Sequence, residues 1–390
     1  MRERAVTYGW MFAVAFGIGA AAFYSVSQGV LDPGGPPAVT DFLSVWAAGS
    51  LALKGRAVDA YDWALQALEE QSLFGGLRVP YFGWHYPPLF FLVAAPLALL
   101  PYGWSRLVWL GVTLIAYLTC MHGVMRHRAT LLLAFAFAGV GVNLGAGQNG
   151  FFSAALLGGG LLLLERNPLA AGVLFGCLGY KPQIAVLVPF ALAAGSHWRA
   201  MVAAALTFLV LAAASAVLFG PDVWLAFKAS LAVTQDRVLE HGGATFSKMT
   251  SVFALVRNWG GSIGAAWVAQ WASSLACAGL TAAVWRRPGP VALKGALLAA
   301  SVPLATPYGF AYDLMVLSFA IAVMLREGVQ TGFRRGEQLI LMSVFVLPLV
   351  CAVLQASDFS LAPPVCLLFV LTVLRRLLQA DQGRITQGAA

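Results

Sequence analysis

Apolar runs of membrane-spanning length recur from one end of this 390-residue chain to the other, and they constrain its fold more than any other feature. Only 10% of the residues are charged, with 24 Lys and Arg and 16 Asp and Glu. A soluble protein of this length would carry about 98 charged residues, at the usual share of roughly 25%. The composition therefore excludes a soluble enzyme, a disordered chain and, despite a net charge of +8, a nucleic-acid-binding protein.

The apolar runs predict an all-α polytopic membrane protein with about 10 to 12 transmembrane helices, because one span takes about 20 residues. The whole chain is interpreted as a single membrane domain, with outer loop 1 at about 32–85 and outer loop 2 at about 220–260. The predicted spans are 8–31, 86–100, 103–124, 129–145, 150–165, 168–195, 201–219, 262–285, 291–306, 311–326, 338–355 and 363–379.

The distribution of charge predicts the orientation, since Lys and Arg concentrate in cytoplasmic loops. Arginines near both termini put the two termini in the cytoplasm. Outer loops 1 and 2 then face away from the cytoplasm, and they contain nine of the 16 carboxylates. We therefore expect the acidic chemistry of the protein at its outer face.

The course of the chain through the middle has two alternatives. If 86–124 crosses twice, the arginines that follow it face outward, against the positive-inside trend. If it crosses only once as a broken helix, those arginines face inward, and Gln148 and Lys181 move to the outer side. We favour the second arrangement, in which Lys181 lies at the tip of two half-length segments, 168–180 and 182–195.

Outer loop 1 has structure of its own. An apolar set follows Asp41 and ends at Gly55, and a second run follows Asp59 and ends at Gly75. Both patterns predict short amphipathic helices at the membrane surface, with the aspartates as N-caps. A structural role for both aspartates is therefore one interpretation of their positions.

Lys181 is the most anomalous residue of the chain, because an ammonium inside an apolar stretch costs a few kcal/mol on insertion scales. It needs a partner anion or a hydrated cavity, and Pro182 breaks the helix where such a cavity would form. An ion pair with a neighbouring helix and a contact with a substrate both explain it.

Two further breaks combine glycine or proline with polar side chains. Gln148 and Asn149 lie in a glycine-rich stretch, and Tyr308 and Asp313 lie in the stretch 306–313. At the end of outer loop 1, His85 and Tyr86 precede two prolines, at a depth where aromatic side chains often serve only as anchors.

An outward carboxylate together with an embedded cation suits glycosyl transfer from a lipid-linked sugar phosphate. A carboxylate supplies the general base for the acceptor hydroxyl, and positive charge stabilises the departing lipid phosphate. Lys181 is the first candidate for that charge, and outer loop 2 adds Lys228, Arg237, Lys248 and Arg257. No cofactor is expected and no cluster has metal-ligand spacing, but dependence on a divalent metal stays open.

Five short motifs occur in this order: Asp41-Phe42 with Trp46-Ala47-Ala48-Gly49, Asp59-Ala60-Tyr61, His85-Tyr86-Pro87-Pro88, Gly147-Gln148-Asn149-Gly150 and Lys181-Pro182-Gln183. Their order and spacing resemble those of the family 87 glycosyltransferases. The resemblance covers about residues 38–200, and beyond that it rests on hydropathy and on Tyr312-Asp313.

The resemblance implies a C-type (GT-C) membrane fold and an inverting transferase on the periplasmic side of the bacterial inner membrane, like the mannosyltransferases of envelope glycolipid synthesis. The implied partners are a polyprenyl-phosphate sugar donor, a glycolipid or glycan acceptor and membrane lipids. Asp41 matches the catalytic base of the family. The residues expected to bind donor or acceptor are His85, Tyr86, Gln148, Asn149, Lys181, Gln183, Tyr308 and Asp313.

Some C-type enzymes carry paired acidic residues in the first outer loop, whereas Asp41 has no acidic neighbour in sequence. Two other functions compete with glycosyl transfer. A transporter or flippase would bind its substrate among broken helices, but the sequence contains no internal repeat, and its acidic residues lie in loops rather than spans. A non-catalytic membrane scaffold explains the hydropathy but gives Lys181 no purpose.

Overall fold

The computed structural model confirms an all-α polytopic chain. Within the described part every regular element is helical, and an isolated bridge pairs Met249 with Phe310. The predicted span 8–31 lies outside the described residues. Those residues are 39–76, 79–243, 246–356 and 360–388.

The α-helices of the described residues are, in chain order, α1 (Phe42–Leu53), α2 (Trp63–Ser72), α3 (Phe91–Ala98), α4 (Tyr102–Met125), α5 (Arg128–Ala136), α6 (Ala138–Ala146), α7 (Gly150–Leu163), α8 (Pro168–Cys177), α9 (Pro182–Ala185), α10 (Val188–Ala194), α11 (Trp198–Phe219), α12 (Asp222–Thr234), α13 (Val252–Asn258), α14 (Ile263–Trp285), α15 (Val291–Ala305), α16 (Leu317–Thr331), α17 (Glu337–Val353) and α18 (Ala362–Gly388). Short 3-10 segments include Ala57–Tyr61, Pro88–Phe90, Leu178–Tyr180, Phe246–Lys248 and Ala311–Val316, and a π-helical turn covers Gln235–Glu240.

Fewer helices have full spanning length than the sequence predicts. Five of those described are long and apolar enough to cross a membrane, or six if α5 and α6, which meet at an angle of 54°, form one bent span. The bend arises at Phe137, whose backbone leaves the helical region at φ −58° and ψ 126°. The other apolar helices are shorter, because glycine and proline interrupt the runs at the polar breaks. Among them, Pro168–Tyr180 and Pro182–Ala194 are the half-length segments expected on either side of Lys181.

The region before α4 does not form a separate crossing. The short helix Pro88–Ala98 packs against α1 at Gly49, and just beyond its end the Leu100 carbonyl accepts a hydrogen bond from Trp46 Nε1 at 3.0 Å. The first residue of α4, Tyr102, meets Thr40 with its hydroxyl 3.2 Å from Thr40 Oγ1. Between residues 86 and 125, only α4 is long enough to cross a membrane. This agrees with the alternative in which 86–124 crosses once.

The two ends of the bundle can be identified from the residues that contact the two ends of α4. Helix α4 is roughly 35 Å long at 1.5 Å per residue. We call the end that holds Thr40 and Tyr102 the site end. At the other end, the Arg326 guanidinium donates to the Val124 carbonyl at 3.5 Å, close to Arg126. This second end, defined by Arg126 and Arg326, is called the basic end.

Helix α1 is not the amphipathic surface helix that the sequence predicts, because it is packed inside the protein and buries nine of its 12 residues. It crosses α3 closely at Gly49, where a Cβ atom would lie 2.1 Å from the Ala94 carbonyl oxygen. Gly55 follows α1 with φ +72°, so the predicted end of this helix is confirmed.

The second helix of outer loop 1 begins later than predicted. Asp62, rather than Asp59, caps α2, and its carboxylate accepts from the backbone amides of Ala64 (2.8 Å) and Leu65 (3.1 Å). Asp62 has the extended backbone that a cap requires, at φ −90° and ψ 119°. Asp59 lies within a 3-10 turn and pairs with Arg56 at 2.6 Å, so the prediction that Asp59 caps this helix is wrong.

Candidate active site

Asp41 lies directly before α1, at the N-cap position, but its side chain does not cap the helix. Its Oδ2 instead accepts a hydrogen bond from Gln148 Nε2 at 3.1 Å, across 107 residues of sequence. The carboxylate is half-buried, so part of it remains accessible. The capping role considered for Asp41 is therefore not realised by its side chain, which leaves the carboxylate available for chemistry.

A chain of hydrogen bonds runs from this carboxylate into the bundle. Tyr86 donates its hydroxyl to Gln148 Oε1 at 3.1 Å, and Asn149 Nδ2 donates to the Tyr86 oxygen at 2.7 Å. Lys181 Nζ donates to Asn149 Oδ1 at 2.7 Å. Every donor points from Lys181 toward Asp41, so the dipoles are aligned and the bonds reinforce one another.

An ion pair anchors the inner end of the chain. The Lys181 ammonium pairs with Asp313 Oδ1, and it also lies 5.2 Å from the centre of the Tyr312 ring. The second oxygen of Asp313 accepts from the Phe310 backbone amide at 3.1 Å. Both charged side chains are buried, with relative exposures of 4% and 6%. The ion-pair explanation of Lys181 is therefore observed, and its ammonium is engaged by Asp313 and Asn149.

Aromatic packing supports the same network. The Tyr180 hydroxyl lies 2.6 Å from Ser153 Oγ and donates to the Asn149 carbonyl at 3.3 Å. Its ring stacks on Phe90 with centroids 4.7 Å apart, and on Tyr86 at 6.3 Å. These contacts hold the backbone and the ring on which Asn149 and Tyr86 depend.

Two glycines allow Gln148 and Asn149 to enter the network. Gly147 has φ +70°, and a Cβ there would lie 2.9 Å from both Thr40 Oγ1 and Phe42 Cβ, which flank Asp41. A Cβ on Gly150 would lie 2.4 Å from the Tyr312 carbonyl oxygen. A side chain at either position would therefore displace one of the segments that the network joins.

His85 lies at a second polar contact, between the two outer loops. Its Nδ1 is 3.0 Å from Thr234 Oγ1, and its ring packs on the edge of Trp63 at 6.2 Å. The Arg237 guanidinium lies over the same Trp63 ring, 5.2 Å from its centre. His85 is an exposed residue, and desolvation by the protein atoms around its ring lowers its pKa to about 4. It is therefore neutral near pH 7.

Besides His85, two of the predicted site residues do not join the network. Gln183 is half-buried and makes no hydrogen bond within the described part of the chain. Tyr308 packs against a smaller apolar cluster that includes Phe253 and Leu239 of outer loop 2. Their predicted contacts with a substrate stay predictions.

Electrostatics at Asp41 combine burial with nearby positive charge. Desolvation raises the pKa of this carboxyl above its ordinary value of 3.8, whereas the Gln148 hydrogen bond and the charges of Lys248 and Lys181 lower it. Lys248 is exposed, and it lies in the segment Phe246–Lys248 of outer loop 2. A carboxylate with a raised pKa is a better proton acceptor, which suits a general base.

Several supporting residues were not predicted from the sequence. Ser153 follows Asn149 by one helical turn, so its position gave a usable signal that it shares a face with that residue. Tyr102 and Thr234 gave none, because their contacts with Thr40 and His85 exist only once distant segments have packed.

Within the described residues, no group of three or more His, Cys, Asp or Glu side chains is arranged to hold a metal ion.

Comparison with known proteins adds one finding. A family model described as glycosyltransferase family 87 matches residues 84–307, which is more than half of the chain. The matched segment includes His85, Gln148 and Lys181, whereas Asp41 precedes it and Asp313 follows it. No curated protein and no solved structure matches the chain.

Proposed function

This chain belongs to glycosyltransferase family 87, and we propose that it transfers a hexosyl group, such as mannosyl, from a polyprenyl-phosphate-linked donor to a lipid or glycan acceptor. The transfer inverts the anomeric configuration and takes place at the periplasmic face of the bacterial inner membrane. Asp41 is the general base. The observation that carries this proposal is the accessible Asp41 carboxylate, which is oriented by Gln148 instead of capping its own helix.

The chemistry has a simple balance of bonds and charge. The acceptor oxygen attacks the anomeric carbon as the bond from that carbon to the phosphate oxygen breaks, and the bonding electron pair stays on the phosphate. The acceptor proton moves to Asp41. Because the donor phosphodiester carries one negative charge and the released monophosphate carries up to two, positive charge near the phosphate stabilises the transition state.

The hydrogen-bonded chain supports Asp41 as the base. Removing the freedom of a catalytic carboxylate to rotate contributes to the rate through orientation. Gln148 contacts Asp41 directly, while Tyr86 and Asn149 hold Gln148 in place. In this proposal the pair of Lys181 and Asp313 positions the chain and does not contact the donor.

His85 is proposed to bind the sugar. Its exposed, neutral imidazole can exchange hydrogen bonds with hydroxyl groups, and the Trp63 ring beside it offers an apolar face. Gln183 and Tyr308 are proposed as outer contacts of donor or acceptor, since neither has a role in the hydrogen-bonded chain.

The charge of the two ends supports the proposed orientation. Arg126, Arg326 and Arg376 lie at the end away from Asp41, where Arg376 donates to Thr331 at 2.6 Å. The positive-inside trend puts that end in the cytoplasm. The site end then faces the periplasm.

Labelling with a membrane-impermeant maleimide in intact spheroplasts tests this orientation. A Lys228→Cys variant is expected to react in intact spheroplasts, and an Arg126→Cys variant only after lysis.

The decisive experiment is a transfer assay with purified protein, a panel of radiolabelled polyprenyl-phosphate sugars and a membrane lipid extract. We expect a labelled glycolipid or glycan whose new linkage has the anomeric configuration opposite to that of the donor. A retained configuration would contradict inversion. Movement of labelled lipid across the bilayer of proteoliposomes, without any new glycosidic bond, would instead favour a flippase.

A further inference from the structure

We propose that Lys248 binds the phosphate of the polyprenyl-linked donor and remains on the monophosphate that transfer releases. The inference rests on the proposed function, because it assigns one ligand contact of that same site. It differs from the role that the sequence suggested for Lys181.

The first step of the argument concerns which cations are already engaged. Lys181 is buried against Asp313 and Asn149. Arg257 donates to the carbonyls of Gly261 (2.8 Å) and Glu240 (3.2 Å), and its guanidinium also lies over the Phe246 ring.

Two other arginines near the site also have partners. Arg237 stacks on Trp63 at 5.2 Å. Arg106 lies next to Gly147, where an added Cβ would be 3.4 Å from its Nε, and its guanidinium donates to the Leu144 carbonyl at 3.1 Å. The positive charge of each is therefore held against a ring or a helix end.

Lys248 is in a different situation. Its side chain is exposed, and within the described residues its ammonium, like that of the exposed Lys228, has no ion pair and no hydrogen bond. The backbone that carries it is bonded to residues 309 and 310, which lead directly to Asp313. Its charge lowers the pKa of the Asp41 carboxyl. Inverting transfer puts the acceptor with its base and the departing phosphate on opposite faces of one anomeric carbon. A free ammonium whose charge reaches Asp41, but which is not paired with it, therefore suits the leaving group.

The backbone under Lys248 is fixed on both sides, which distinguishes it from an ordinary surface lysine. Ser247 Oγ donates to the Gln355 carbonyl at 2.6 Å, and the Thr250 amide donates to the Gly309 carbonyl at 2.8 Å. Met249 between them is buried and forms a bridge with Phe310. Because the Cα position is held, only the side chain of Lys248 must be ordered when a phosphate binds.

The segment that pairs with this backbone is the one that ends at Asp313. Phe310 donates its amide to Asp313, whose other oxygen holds Lys181. The phosphate contact and the chain that orients Asp41 are thus built on the same break in the helices. This shared segment fixes the position of Asp41 relative to the backbone of Lys248.

The test measures binding of a long-chain polyprenyl monophosphate to the purified full-length protein, by its inhibition of transfer and by direct titration of tryptophan fluorescence. Losing one charge-assisted hydrogen bond weakens binding by roughly 10-fold to 100-fold. We expect that loss in Lys248→Gln and most of the affinity back in Lys248→Arg. Lys54→Gln is the matched control, because Lys54 is an exposed lysine at the far end of α1, paired with Glu69, and its affinity is expected to be unchanged.

A measurement on the unmodified protein guards against a misfolded variant. Polyprenyl monophosphate is expected to protect the Lys248 amine from acetylation, read by mass spectrometry, and to leave Lys54 reactive. If Lys248→Gln binds the monophosphate as tightly as the wild type, or if Lys248 is not protected, this assignment is overturned while the glycosyl transfer of the wild type still supports the proposed function. If the wild type neither transfers sugar nor binds the monophosphate, the proposed function fails and this inference fails with it.

Discussion

Gln148 donates a 3.1 Å hydrogen bond to the Asp41 carboxylate, and this contact joins outer loop 1 to a break between two helices in the middle of the chain. The same amide group accepts from Tyr86, so its orientation is determined from both sides. A carboxylate held in this way has one preferred direction for its free oxygen, which is what a general base needs.

Replacing Asp41 tests its role directly. Asp41→Asn keeps the shape and polarity of the side chain but cannot accept a proton, so we expect kcat to fall by about 100-fold to 10,000-fold. Asp59→Asn, in the same loop but paired with Arg56, is the matched control and should retain the wild-type rate. Initial rates with labelled donor, on protein that elutes normally in gel filtration, decide the question. Wild-type turnover by the Asn variant would rule out Asp41 as the base.

The ion pair of Lys181 and Asp313 gives a different signature. Lys181→Met leaves Asp313 buried without a partner, which costs about 3–5 kcal/mol, so the melting temperature should drop. The double variant Lys181→Met/Asp313→Asn removes both charges and should recover much of that loss.

The kinetics of these variants separate positioning from donor binding. If Lys181 only positions the chain to Asp41, Lys181→Met lowers kcat and leaves the donor KM near its wild-type value. A donor KM that rises with an unchanged kcat would instead return Lys181 to direct contact with the donor.

The pH dependence follows from the environment of Asp41. Burial raises its pKa above 3.8, and the base is active only when ionised, so activity should fall as the pH drops through that raised value. The charge of Lys248 favours the ionised form, so Lys248→Gln should move this acid limb to higher pH. Burial lowers the pKa of His85 to about 4, so its imidazole is neutral near pH 7, and His85→Gln should change the donor KM measured there. An acid limb at the same pH in Lys248→Gln and the wild type would contradict the closeness of Lys248 to Asp41.

Gly150 should not tolerate a side chain. A Cβ there would meet the Tyr312 carbonyl oxygen at 2.4 Å and Asn143 Oδ1 at 2.7 Å, and such overpacking costs about 1–3 kcal/mol. We expect Gly150→Ala to lower both the melting temperature and the rate, because it separates Asn149 from the segment of Asp313. Gly111→Ala is the control, since no atom lies within 4 Å of the new Cβ. Equal behaviour of the two variants would show that the close packing at Gly150 is unimportant.

Much of the architecture could be predicted from the sequence. Hydropathy and helical breaks depend on local composition, so the membrane-embedded all-α fold and the half-length segments around Lys181 were predicted before any contact was known. The end of α1 just before Gly55 was predicted for the same reason. The cap of α2 was misassigned to Asp59, because Asp59 and Asp62 both precede apolar residues and only the backbone at Asp62 is extended.

The partners of the polar residues were decided by the tertiary structure alone. The sequence by itself determined that Asp41, Gln148, Asn149, Lys181 and Asp313 are polar residues at breaks or ends of apolar runs. It did not determine that Lys181 is neutralised by Asp313, 132 residues away, or that Asp41 turns from its own helix to Gln148. The physical reason is that burial creates the need for a partner, which composition reveals, while the packing of distant helices determines which partner is within reach.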